Sequence, residues 1–392
     1  MTSRPNSPVH NIIADAIRQH GPMPFARFMD LALYHPEHGY YRQPQRKPGR
    51  GGDFITSPEL HPFFGNTLAR QVAETWDALG QPHHLVVREH GASSGGLAYD
   101  ILVALHEKAP DVLAAVDYRL IDVNTHRLEE AIAAMAEVGF GDRVRAEHPD
   151  ALGPESGIVI ANEVADALPV HRYLVRDDAI REVRVGLDDA NGFFDVEADP
   201  DPAILAAIQA HFSRHHVTLP DGARFEFSPA AARWMDSVAA NLTAGIAIVI
   251  DYGYDAPTLY RDHRLQGTVR GYWQHSATDD PYIRVGEQDL TAHVDFSLLA
   301  NTAVESGMTV LGITTQGEYL TRLGLGEWLM ELQQQPDVVY EEYALAQRAT
   351  MRLIDPTGLG RFGVLGLAKG LPADFRALGF SPRTIEEELA AL

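Results

Sequence analysis

An acid followed at once by a glycine-rich turn, Glu89-His90-Gly91-Ala92-Ser93-Ser94-Gly95-Gly96, is the part of this 392-residue chain best suited to receiving a ligand. Apolar residues lead into the turn and a helical pattern beginning near Leu97 leads out. Glycines let backbone approach a guest closely, and a helix N-terminus offers free amides. The same order also makes a plain structural corner, and the turn alone does not choose between the two. Asp122 ends the next apolar stretch, about twenty residues beyond the turn, where a second-strand carboxylate can accept hydrogen bonds from both ribose hydroxyls. Its competing role is a helix N-cap, for which Asn124 and Thr125 serve equally. A third apolar strand, 157–161, runs directly into Asn162-Glu163-Val164-Ala165-Asp166. Three polar side chains straight after a buried strand point to a site. Asn162 would cap or orient the loop, while Glu163 and Asp166 would hold a cationic group through charge-assisted hydrogen bonds. Turn and capping chemistry is the alternative. Finally, alternation over 289–296 puts Asp289, Thr291, His293 and Asp295 on one side of a strand. That array suits an acid–base or metal set, or a satisfied structural network.

These residues need a scaffold, and the chain carries a regular α/β beat that supplies one. Helical spacing covers 8–20, 24–34 and 58–79, and strands are predicted at 85–89, 118–122, 157–161, 246–250, 309–313 and 361–367. Helices are expected over 127–138, 203–212 and 230–242, and between 316 and 348. Between 173 and 196 short alternating stretches broken by Asp177-Asp178 and Asn191-Gly192 predict an antiparallel insertion. Residues 42–53, with Arg42, Arg46, Lys47 and Arg50 among Pro and Gly, read as a mobile loop. The fold class is therefore α/β, a mostly parallel sheet with insertions. Its parts are read as N-terminal helices and a loop over the site (1–60), a first part of the core (61–170), an antiparallel and helical insertion (171–245) and the remainder of the core (246–392).

Composition narrows the partners. Thirty-two Lys and Arg against 54 Asp and Glu give a net charge of −22, which repels nucleic acid and anionic membranes and favours a cationic partner. Absence of cysteine excludes disulfides, thiolate metal sites and cysteine nucleophiles. Without a basic-then-apolar start or an apolar run of about 18 residues, the sequence predicts a cytoplasmic protein that does not enter the membrane. A homodimer is left open. No Gly-x-Ser-x-Gly elbow or phosphate-binding Gly-Lys-Ser/Thr loop is present, so hydrolase and nucleotide-triphosphatase readings lack support.

Taken together, the motifs resemble the MidA-type family of S-adenosylmethionine (SAM)-dependent methyltransferases. The resemblance rests on GPMPFARFMDLALYHPEHGYY (21–41), GGDFITSPELHPFFG (51–65), the glycine turn, ANEVADALPVHR (161–172), IDYGY (250–254), GTVRGYWQH (267–275), DLTAHVDFS (289–297) and DPTGLGRFGVL (355–365). It implies a Rossmann-like core with a mostly parallel seven-stranded sheet, a helical N-terminal segment and β/α insertions. Mitochondrial members are complex I assembly factors that methylate an arginine of a partner subunit, so the resemblance implies a protein-arginine methyltransferase. By position, Glu89, Gly91, Ala92, Ser93 and Gly95 would line SAM, and Asp122 with Val123 would meet its ribose. Asn162, Glu163 and Asp166 would face the acceptor, with Asn162 also touching the cofactor. Gly52, Asp53, Phe54, Thr56, Ser57, Pro58 and Glu59 would close over it, Asp53 contacting the SAM amino group; no metal is implied. One departure stands out: Ser93 occupies a glycine position of the family turn and adds a side chain where backbone and cofactor should come closest. The alternatives are a small-molecule N- or O-methyltransferase and a non-catalytic assembly factor that keeps the fold.

Overall fold

The computed structural model describes residues 7–43, 56–261 and 264–380. The chain divides into two compact units. One comprises Met1–Phe54, Ala165–Met235 and Gly253–Leu299, and the other Ile55–Val164, Asp236–Tyr252 and Ala300–Leu392.

The second unit is built on a seven-stranded sheet: β1 (Leu85–His90), β2 (Val116–Ile121), β3 (Val144–Ala146), β4 (Glu155–Asn162), β5 (Leu242–Asp251), β6 (Thr309–Thr315) and β7 (Gly363–Lys369). Their spatial order is β6-β7-β5-β4-β1-β2-β3. Only β7 is reversed, running antiparallel to both β5 and β6, while the pairs from β5 through β3 are parallel. Strands covered on both faces must be apolar along their length. Accordingly Leu85, Val87, Ile158, Ile160, Ile246, Ile248 and Ile250 share one core with Phe64, Leu68, Ala98 and Ile101 from the helices Phe63–Ala78 and Gly96–Lys108. Burying each large aliphatic side chain contributes about 1.5–3 kcal/mol. The exceptions on β1 and β2 are ionic: Arg88, 2% exposed, pairs with Glu147 at 2.9 Å, and Arg119 meets Asp117, Glu147 and Glu155. From β1 the chain moves outward to β2 and β3, and β4 then returns to β1's other side. The sheet's switch point thus lies between β1 and β4, and ligands of such sheets bind beyond the strand ends there.

The first unit holds an antiparallel sheet in the order Met23–Pro24, Ala179–Leu187, His171–Arg176, Arg224–Phe227, with Phe193–Ala198 paired to Ala179–Leu187. Its hairpins turn where the DD and NG pairs predict, with Asp177, Asp178 and Asn191 all at positive φ. Among the described residues no helix is long and apolar enough to cross a membrane.

Two expectations need correction. The helix predicted over 58–79 is two, Ser57–Leu60 and Phe63–Ala78, because His61 precedes Pro62 and is held extended at φ −167° and ψ 146°. The helices expected between 316 and 348 are Gln316–Arg322, Leu325–Gln334 and Tyr340–Ile354, with Gly324 at φ 85° ending the first. The single strand carrying Asp289, Thr291, His293 and Asp295 does not form. Asp289–Thr291 pairs with Arg270–Trp273, whereas Val294–Asp295 pairs with Gly253–Tyr254 in another sheet. The break at Ala292-His293 sends the acids to different partners. Tyr41 Oη donates to Asp289 at 2.7 Å, while Asp295 lies 2.7 Å from His211 Nε2 and accepts from Tyr260 Oη at 3.0 Å and the Leu298 amide at 3.0 Å. These are structural networks. Replacing Asp295 by Asn removes the charge from a carboxylate engaged through both oxygens and is expected to lower the unfolding free energy by about 1–2 kcal/mol in urea titrations.

Candidate functional site

The glycine turn is laced to the neighbouring strand. The amides of Gly91 and Ala92 both donate to the Ile121 carbonyl, at 2.8 and 3.1 Å. Gly91 (φ 71°), Ser93 (φ 48°) and Gly95 (φ 74°) are all left-handed. A Cβ on Gly91 would meet Val164 Cγ2 at 2.7 Å, so glycine is needed there for packing as well as for its dihedral. Ala92 is buried and Gly95 opens the helix Gly96–Lys108.

Asp122 ties this turn to the end of β2. Its Oδ2 accepts from the Ser93 amide at 2.9 Å and its Oδ1 from the Asn124 amide at 2.8 Å. The helix cap is Asn124, whose side chain accepts from the Arg127 amide at 3.2 Å. Asp122 is therefore not the cap, and each of its oxygens keeps a further lone pair. Val123 follows it, half-buried. Ser93 takes the left-handed conformation without being glycine. Ser93→Gly is expected to raise stability by roughly 0.5–1 kcal/mol, a melting shift of about 1–3 °C, since relief of left-handed strain exceeds the entropy that glycine adds.

Glu89, near the end of β1, is 4% exposed and accepts from Tyr118 Oη at 2.8 Å. Burial pushes its carboxyl up to about 8, with the Asp122 and Asp100 charges adding to the rise and the Tyr118 hydrogen bond opposing it. Its neighbour His90 is pushed down to about 4 by burial and the Arg88 charge, so it is neutral at physiological pH.

At the end of β4 stand Asn162 and Glu163. Glu163 has φ 54°, and its amide donates to the Ile250 carbonyl at 2.8 Å. Its Oε1 accepts from the Ser57 amide at 3.3 Å and from Asn162 Nδ2 at 3.0 Å. Burial, then the charge of Asp251, pushes the carboxyl up to about 8; the Ser57 and Asn162 hydrogen bonds pull the other way. Asn162 Oδ1 is buried without a hydrogen-bond partner among the described residues.

Thr56 caps the short helix Ser57–Leu60 in a capping box with Glu59, and Pro58 lies in its first turn. Ser57 Oγ donates to Gln316 Oε1 at 2.9 Å, and Gln316 Nε2 in turn donates to the Leu353 carbonyl at 3.0 Å. The unit thus gathers Glu89, Gly91, Ala92, Ser93, Gly95, Asp122, Asn162 and Glu163 at the ends of β1, β2 and β4, with Thr56 and Pro58 flanking Ser57. Gly52, Asp53 and Phe54, and most of the loop read over 42–53, lie outside the described residues. Asp166 belongs to the other unit, in the turn Ala165–Ala167, where its carbonyl accepts from the Ala292 amide at 2.9 Å and its charge helps raise the hydroxyls of Tyr41 and Tyr272. Sequence reasoning left two participants unassigned. Asp251 had a signal, an acid ending a buried strand; Gln316 had none.

SAM carries a methionine ammonium and two ribose hydroxyls, all hydrogen-bond donors. The acceptors gathered here fit them: the orphaned Asn162 Oδ1 and the spare lone pairs of Asp122.

Comparison with known proteins agrees. A family model for S-adenosyl-L-methionine-dependent methyltransferases matches residues 67–314, and the chain belongs to that family. The crystal structure of a Burkholderia thailandensis relative bound to S-adenosyl-homocysteine is 33% identical, with a TM-score of 0.86 over 95% of this chain and 94% of that one. "Protein arginine methyltransferase NDUFAF7, mitochondrial" from Homo sapiens is 29% identical over 93% of this chain and 84% of its own length. The Drosophila melanogaster homologue of that protein is 28% identical over 92% and 86%. The chain is thus a SAM-dependent methyltransferase with a Rossmann-like core. The cytoplasmic expectation is overturned, because these curated relatives are named as mitochondrial proteins; the sequence reading relied on the lack of a secretory start, which does not address that compartment.

Proposed function

We propose that the protein methylates the guanidinium of an arginine in a protein partner, with Glu163 facing the acceptor. The observation that carries this reading is a half-buried carboxyl at the switch point of the sheet, anchored by one oxygen and held in left-handed backbone. Such a group is costly to bury unless a cation comes to meet it. Bound SAM supplies an electrophilic methyl group on a sulfonium.

Glu163 Oε1 is fixed by Ser57 and Asn162, which leaves Oε2 to accept from an incoming guanidinium. The cation in turn draws the carboxyl toward its ionised form. Hydrogen bonding concentrates the guanidinium charge on the bonded nitrogens and leaves the remaining one more nucleophilic. That nitrogen forms a bond to the methyl carbon as the sulfur–carbon bond breaks, and it releases one proton. Positioning of this kind accounts for much of the acceleration of an in-line transfer. Asp122 and Asn162 would hold the cofactor through its ribose and ammonium, and Glu89, Gly91, Ala92, Ser93, Gly95 and Val123 would line it.

The net charge of −22 suits a basic partner segment, and the names of the human and fly relatives support arginine as acceptor. The deciding experiment incubates the full chain with methyl-labelled SAM and a mitochondrial protein extract, followed by hydrolysis and amino-acid analysis. Label in methylarginine is expected. Label confined to lysine, or to small molecules, would remove the arginine reading.

A further inference from the structure

We infer that Asp251 is the positioning residue that sets the conformation of Glu163, an inference that rests on the acceptor-facing role proposed for that residue. Asp251 closes β5 and is fully buried. Its Oδ2 accepts from the Val164 amide at 3.1 Å and its Oδ1 from the Tyr252 amide at 2.7 Å. One residue earlier, the Ile250 carbonyl accepts from the Glu163 amide at 2.8 Å. The end of β5 therefore grips the peptide on each side of Glu163: the N–H before its Cα through a carbonyl, and the N–H after it through a carboxylate.

That grip addresses a specific cost. A non-glycine residue at φ 54° sits in a sparsely populated region, and such strain persists only where the surroundings over-determine it. With the Val164 amide released, residue 163 is free to return to negative φ, which carries its carboxyl away from the Ser57 amide and Asn162 Nδ2. Asp251 acts on the site a second way, through charge. Among the described residues, the charged groups that act on Glu163 are Asp251 from β5 and Glu59 from the helix Ser57–Leu60, both acidic, and Asp251 is the larger influence. Removing it favours the ionised carboxylate.

The test uses the full chain with Asp251→Asn, Glu163→Gln and the double variant. Asp251→Asn keeps an acceptor for one amide but loses the charge and the second acceptor. Its SAM dissociation constant by calorimetry is expected to stay within about threefold of wild type while kcat falls roughly tenfold, the pattern of a lost positioning interaction. The acid limb of its kcat/KM profile is expected to move below the wild-type value of about 8. The double variant should be no slower than Glu163→Gln alone. An unmoved limb with unchanged kcat, a parallel loss of SAM binding and turnover, or additive losses in the double variant would each overturn the inference. Should Asp251→Asn not fold, Asp251→Ser retains a neutral acceptor for the Val164 amide, and the same shift of the limb is expected of it. The two claims separate cleanly. A fully active Glu163→Gln removes the acceptor role itself, whereas an inactive Glu163→Gln beside an unaltered Asp251→Asn removes only the positioning role.

Discussion

Glu163→Gln is expected to lower kcat by roughly 10²–10³-fold while leaving SAM affinity within about threefold. The substitution keeps the shape of the side chain and an oxygen to accept from Ser57 and Asn162, so the β4 end should remain folded. What disappears is the negative charge available to the acceptor. The pH dependence follows with a definite sign. Burial pushes the free carboxyl up to about 8, so at neutral pH most of the unliganded enzyme carries it protonated. If the ionised form engages the cation, kcat/KM rises as pH increases, close to tenfold per unit below that value, and levels above it. Glu163→Gln should be slow at every pH and show no such limb. A variant that is slow yet retains the limb would assign the titration to another group. Loss of SAM binding and turnover in equal measure would make Glu163 structural.

The second large effect is expected at Asp122. Asp122→Ala leaves the amides of Ser93 and Asn124 without their acceptor and removes the carboxylate proposed to meet the ribose. Hydrogen bonds to a charged partner contribute about 1.5–3 kcal/mol each, so the SAM dissociation constant should rise on the order of 100-fold. The turnover rate at saturating SAM should change far less, which distinguishes this site from Glu163. Binding that is unaffected in calorimetry would remove Asp122 from the cofactor site and leave it as a brace for the glycine turn.

Much of this arrangement was legible in the sequence because strand ends announce themselves. The central strands are mostly apolar, broken inside β1 and β2 only by charged or polar side chains such as Arg88 and Arg119, and Glu89, Asp122 and Asn162-Glu163 mark the ends of three of them. All three belong to neighbouring strands, in the spatial order β4-β1-β2, so their ends meet; the reversal of strand order between β1 and β4, which makes the switch point, follows from pairing and not from any local pattern. What escaped was set by long-range contacts. The Ser57–Gln316 hydrogen bond joins residues far apart in the chain, and no local pattern marks a glutamine at a helix start as a partner for a distant serine. Alternation over 289–296 was real but misleading: it predicts one strand, whereas pairing with two different sheets divides the segment at Ala292-His293. Asp122 illustrates a middle case, since a cap and a ligand-facing carboxylate look alike until Asn124 is seen to bond the Arg127 amide.

The reversed strand β7 also fixes when the molecule can become whole. It lies between β5 and β6, so β5 has no partner on that side, and β6 has no place in the sheet, until Gly363–Lys369 exists. On a ribosome, β5 is made long before that moment. For all the time needed to synthesise the stretch from Asp251 to Gly363, the edge bearing Ile246, Ile248 and Ile250 remains open to other strands. Chains add only about 5–20 residues per second during synthesis, and such unpaired edges invite aggregation. The nascent chain therefore passes through an interval of vulnerability lasting seconds, ended only by β7, and any truncation upstream of Gly363 makes that interval permanent.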